Sequence, residues 1–136
     1  MVWLRAFVAG FVSTLVFHQG MLALLHFGKL VPRAPFAMNP VPPLGIPSVL
    51  SRAFWGGVWG IALWAMIRSN SGPGHWLLAV LLGAVLPSLV ALLVVFPLKG
   101  MAFAANWDPK IWVGAALLNG AWGFGVALLM QWLGRR

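Results

Sequence analysis

The chain contains no cysteine and only one acidic residue, Asp108, among its 136 positions. Without cysteine there is no disulfide framework, thiolate metal site or cysteine nucleophile. A single carboxylate cannot supply a two-carboxylate glycosidase or an oxygen-ligand metal cage. Nor can it supply the relay of acidic residues that many proton-coupled pumps place within the bilayer. Charge of either sign is scarce, with charged residues at 7% of the chain. Ten charged side chains cannot coat a soluble domain of this size, so a soluble globular fold is excluded.

What is present is apolar. Hydrophobic residues make up 62% and mean hydropathy is +0.95, against about 45–50% apolar residues in soluble domains. That composition excludes disorder, which needs low hydrophobicity. The nine basic residues are scattered singly, apart from Arg135-Arg136, and form no stripe of the kind that binds nucleic acid.

A membrane helix needs about 20 mostly apolar residues. Four windows qualify, at about 3–27, 49–67, 76–98 and 111–133. Each far exceeds the 9–11 residues of a membrane strand and none alternates strictly, so the expected fold is all-α. It is a single domain over 1–136, an integral membrane bundle of four transmembrane helices with a proline-rich loop between the first two. Arg5 followed by an apolar run resembles a signal peptide only in part. The run is long for a signal core and no small-x-small cleavage pattern follows it, so an uncleaved first span is expected.

The ends and joints carry local signals. Trp3, Trp76, Trp107, Trp112 and Trp132 fall near the interfaces, where an amphipathic ring is at ease. Asp108-Pro109 reads as an N-cap followed by proline at the first helical position, which gives the lone carboxylate a structural job. Pro47 or Ser48 opens the second helix, Asn70 to Gly74 reads as a tight turn, and Pro87 is expected to bend or break the third span. The segment Leu30–Pro47 holds six prolines, which forbids helix and favours a stiff, extended path. Its apolar residues place it on the membrane surface or tucked over the bundle, as a lid or as a plain connection.

With four spans, both termini share a side with the second loop. Arg5, Arg68, Arg135 and Arg136 lie there, against Lys29, Arg33, Arg52, Lys99 and Lys110 on the other side. The Lys/Arg bias is therefore near zero, with Arg5 and the terminal pair favouring cytoplasmic termini. Small multidrug exporters are similar in size, span count and charge balance. Their exchange mechanism depends on a glutamate in the first span, and no acid stands in this one.

Polar side chains in hydrocarbon usually face the bundle interior. His18, Gln19, Ser88 and Asn119 fall at comparable depth, displaced toward the proline-rich loop, with His26 and Arg52 nearer that surface. One reading is interhelical hydrogen bonding. The other is a ligand or ion pocket lined by His18, Gln19 and Asn119, with Arg52 attracting an anionic group or a lipid headgroup. One helix cannot set His18 and His26 on opposite faces of a haem iron, and no metal set or nucleophile–base pair is visible. No cofactor, no metal and no catalysis are therefore expected. The stripes Ala6-x-x-x-Gly10-x-x-x-Thr14 and Gly56-x-x-x-Gly60 allow close helix approach, and a homo-oligomer or a larger membrane complex stays open.

The pieces Phe17-His18-Gln19-Gly20, Pro40 to Pro47 and Phe54-Trp55-Gly56-Gly57 resemble a group of small uncharacterised bacterial inner-membrane proteins. The resemblance covers roughly the first half of the chain. It implies a bacterial inner-membrane location and no activity. The expected function is binding or passage of a small solute, ion or lipid, the alternative a non-catalytic accessory or scaffold subunit.

Overall fold

In a computed structural model of the chain, residues 2–29, 35–36, 38, 40–41, 45–69 and 72–133 are described. Four helices long and apolar enough to cross a membrane dominate them. These are α1 (Val2–Phe27), α2 (Ser48–Ile67), α3 (Gly72–Leu98) and α4 (Pro109–Trp132). The fold is an all-α four-helix bundle. Between α1 and α2 lies one antiparallel pairing of β1 (Pro40–Val41) with β2 (Ile46–Pro47), two residues a side and too short to form a layer.

The small residues decide which helices meet. A β-carbon on Gly60 would lie 2.6 Å from the Ala6 carbonyl oxygen and 2.9 Å from the Gly10 Cα. The two stripes read from the sequence therefore pack on each other, α1 against α2. A β-carbon on Gly83 would lie 2.9 Å from the Gly123 Cα and 3.0 Å from the Asn119 carbonyl oxygen, which makes the matching contact between α3 and α4. Close backbone approach of this kind drives helix association where lipid removes the hydrophobic force. The pairs join through α1 and α4, while α2 meets α3 only within Gly72–Val90.

The apolar core sits in the half of the bundle nearest the termini. Ala6 and Ala9 meet Leu63, Trp64 and Ile67 there, with Ala79 from α3 and Trp122, Val126 and Met130 from α4. On the same face Arg5 donates to the Leu133 carbonyl at the end of α4 (3.2 Å), and the Arg68 guanidinium lies 5.0 Å from the Trp3 ring centre. His75 contacts the Ile67 carbonyl through Nδ1 (3.1 Å), tying the start of α3 to the end of α2.

Two joints differ from expectation. Helix α3 begins at Gly72, so Pro73 and Gly74 form its first turn, where proline's missing N–H costs nothing. Asn70 and Ser71 lie outside the described residues. Pro87 also does not break α3, which continues as α-helix to Val90. The irregularity comes later, as a π turn over Ala91–Val95 in which the Phe96 N–H bonds to the Ala91 carbonyl. Pro97 follows directly. Its ring would clash with the carbonyl four residues back, and widening the preceding turn relieves that crowding.

The α4 cap matches the reading of Asp108, whose Oδ1 accepts from the Lys110 N–H at 3.0 Å. Before it, Ala104 to Trp107 run through four consecutive left-handed residues, φ 53 to 59°. Such residues cost about 1–2 kcal/mol each in an L-chain. Neighbouring contacts hold the turn in place: the Trp112 indole donates to the Ala104 carbonyl at 2.9 Å, and Trp107 stacks on Trp112 at 5.4 Å and 2°.

Candidate functional site

The site begins with a change of helical phase. Thr14–His18 is a π turn, closed by the Gln19 N–H bonding to the Thr14 carbonyl. One extra residue in that turn rotates everything beyond it. The buried stripe Ala6, Gly10, Thr14 therefore continues at Gln19 rather than at His18. Thr14 Oγ1 bonds the Gly10 carbonyl at 2.9 Å, a local bond that loosens helical geometry just before the π turn. Turns of this type recur at functional positions.

Gln19 is fully buried at 0% exposure and is the most buried polar side chain of the loop half. Its Oε1 accepts from the Phe36 N–H at 2.6 Å, and its Nε2 lies 3.0 Å from His18 Nδ1. Phe36 can only donate, so the amide oxygen faces it and the amide nitrogen faces the imidazole. His18 Nδ1 is therefore an acceptor, and the neutral ring carries its proton on Nε2. Phe36 is thus tied to α1; residues 30–34, 37, 39 and 42–44 of the proline-rich connector, on which the lid reading rests, lie outside the described residues. Phe36 is itself left-handed (φ 54°), a rare state for a bulky residue.

Asn119 belongs to a different pair. Its Nδ2 donates to Ser88 Oγ at 2.9 Å, linking α4 to α3, and neither His18 nor Gln19 receives that bond. Ser88 is 3% exposed. Arg52 on α2 is half-buried, with its Nη1 out of solvent.

Registers from neighbouring contacts place these groups in depth. Ser13 Oγ bonds the Trp122 carbonyl (2.7 Å), so Asn119, three residues earlier on α4, lies about 4.5 Å nearer the loop face. Gly56 faces Thr14, so Arg52 lies about 6 Å nearer that face. Gln19 is one wide turn beyond Thr14. All four sequence candidates thus occupy one layer about a helical turn thick, in the half opposite the apolar core. His18 and Gln19 are bonded to each other, Asn119 and Ser88 to each other, and Arg52 stands on α2 at their level.

Sequence reasoning missed the roles of Thr14 and Phe36. The sequence marks Thr14 only as a small residue of the packing stripe, and a threonine four residues before His18 is its one signal for a loosened turn. Phe36 carried no signal, because its backbone, not its ring, makes the contact. His26 Nδ1 is buried without a hydrogen bond. It lies about two turns closer to the loop face, about 12 Å from His18 along the axis.

Fold and layer together define a multi-pass membrane protein whose described buried polar groups lie from the middle of the bundle toward the loop face. No protein-family model matches the chain, and neither a curated protein nor a solved structure is significantly similar to it.

Proposed function

We propose that the chain binds a small solute, ion or lipid in the polar layer, and that this layer is the way station of any passage through the bundle. His18, Gln19 and Asn119 line the site in this reading, and Arg52 draws an anionic group such as a phosphate or lipid headgroup. The supporting observation is the division of the interior. The main cluster of buried apolar side chains lies in the half near the termini, while Gln19 and Ser88, both buried, and the half-buried Asn119 stand with Leu22, Leu92 and Leu118 in the other half, beside a π turn and the Phe36 backbone. A polar layer costs desolvation in a bilayer and is retained where it serves a ligand.

The reading places the protein in the bacterial inner membrane, termini in the cytoplasm, with membrane lipids as its surroundings and no catalytic step. The test uses purified protein in liposomes, with phosphate efflux and retention of anionic phospholipid as the two probes. Wild type should show one of them, and His18→Ala and Arg52→Ala should abolish it while the fold is retained. Wild type inert in both, yet recovered with a stable membrane partner, would make it an accessory subunit instead.

A further inference from the structure

We propose that the turn between α3 and α4 is a lipid anchor. It seats its apolar side chains in the interface of the leaflet on the loop face, and Lys99 and Lys110 hold the headgroup of an anionic phospholipid. The argument starts from length. Helix α2 has 20 residues, enough for the roughly 30 Å of hydrocarbon, and α3 has 27. The two are tied at the opposite face, where His75 meets the Ile67 carbonyl. The seven further residues carry the end of α3 about 10 Å past the start of α2, to the level of the headgroups. Among the described elements, the backbone of residues 91–98 comes close, beyond α3 itself, only to the turn Phe103–Trp107.

A segment at that level that faced water would be polar. This one is apolar and open: Leu98 is 81% exposed, Trp107 63%, Phe103 56% and Met101 49%. Such a patch is at odds with water and at home where acyl chains meet headgroups. The backbone fixes the display. The Trp112 indole spends its N–H on the Ala104 carbonyl and so holds the left-handed run that leaves Phe103 and Trp107 on the outside, edge to face at 6.1 Å. Aromatic rings of this kind favour the membrane interface.

The polar side chains set among these rings select the lipid. Lys99, Lys110 and the Trp107 indole offer donors only. Both lysines are exposed, and none of the three side chains donates a hydrogen bond among the described residues. The one carboxylate of the turn, Asp108, is half-buried and committed through Oδ1 to the Lys110 N–H. Donors without acceptors match a ligand that only accepts, as phosphodiester oxygens do. The apolar display demands that the phosphate be carried by a lipid, and lysines at a membrane surface favour an anionic one. This surface lies outside the polar layer, so the anchor stands or falls apart from the function proposed above.

The absence of cysteine permits site-directed labels in the full chain. Ala102→Cys, exposed in the turn but outside the anchoring side chains, and Ser69→Cys, exposed at the end of α2 on the opposite face, each carry a nitroxide in phosphatidylcholine nanodiscs. The Ala102 label should be open to oxygen and about tenfold less open than the Ser69 label to a water-soluble nickel relaxant. Phe103→Ser with Trp107→Ser should remove that difference. An Ala102 label as open to nickel as the Ser69 label places the turn in water and overturns the anchor. Shielding from nickel and oxygen alike means that a protein covers the turn, and overturns it too. The headgroup is tested on the unlabelled protein with spin-labelled lipids. The motionally restricted fraction should favour phosphatidylglycerol over phosphatidylcholine, and Lys99→Gln and Lys110→Gln, both at exposed positions, should each lower that preference about fivefold. No preference in the parent, or one that survives the double substitution, overturns the anionic headgroup site.

Discussion

Ser13 donates its hydroxyl to the Trp122 carbonyl at 2.7 Å, and the Trp122 indole donates to the Gly10 carbonyl at 3.2 Å. Two short bonds thus tie α1 to α4 in the middle of the bundle. Ser13→Ala and Trp122→Phe should each destabilise the protein by about 0.6 kcal/mol, and by at most about 1.7. Unfolding in mixed detergent measures this, and the double variant reports the coupling between the two bonds.

Glycine substitutions on one helix should divide sharply. On Gly10 a methyl group would collide with the Gly56 carbonyl, whereas nothing lies within 4 Å of one on Gly20. Gly10→Ala should cost about 1–3 kcal/mol or force α1 and α2 apart. Gly20→Ala should be neutral or stabilising by up to about 1 kcal/mol, from helix propensity alone. Thermal aggregation in detergent separates them.

Loss of the α4 cap is expected to be modest and specific. Asp108→Ala should lower stability by about 1 kcal/mol, while Asp108→Asn, which still offers an oxygen to the Lys110 N–H, should retain most of it. Hydrogen exchange at Lys110 and Ile111 should rise in the alanine variant alone.

Ser88→Ala removes the acceptor of the Asn119 amide at the α3–α4 contact. The cost should be about 1 kcal/mol, at or above what a membrane hydrogen bond averages, because the half-buried Asn119 donor is left without its acceptor. Ser88→Ala with Asn119→Leu should recover part of that loss, as measured by detergent unfolding. A double variant no better than the single one would show that Asn119 finds another acceptor.

Several features were legible directly from the residues. The long apolar runs dictated four helices, because a backbone in lipid must satisfy its own hydrogen bonds. The stripe Ala6, Gly10, Thr14 and the pair Gly56, Gly60 announced close approach, and Asp108-Pro109 announced a helix start. The comparable depth of His18, Gln19 and Asn119 followed from rise per residue alone, whereas Arg52, expected nearer the loop surface, stands in the same layer. These are properties of composition and spacing along one segment at a time.

Tertiary structure decided the rest. Which small stripe meets which depends on complementary shape across helices, so the pairing of Gly10 with Gly56 and of Gly83 with Gly123 had no signature in either segment. Gln19 rather than His18 faces the interior because a π turn adds one residue to the phase, and regular periodicity cannot foresee it. Phe36 reaches Gln19 across 17 residues through a backbone N–H that every non-proline residue carries. The scarcity of acids pointed to a membrane; the partners of its few polar groups were chosen only when four helices and the backbone at Phe36 were brought together.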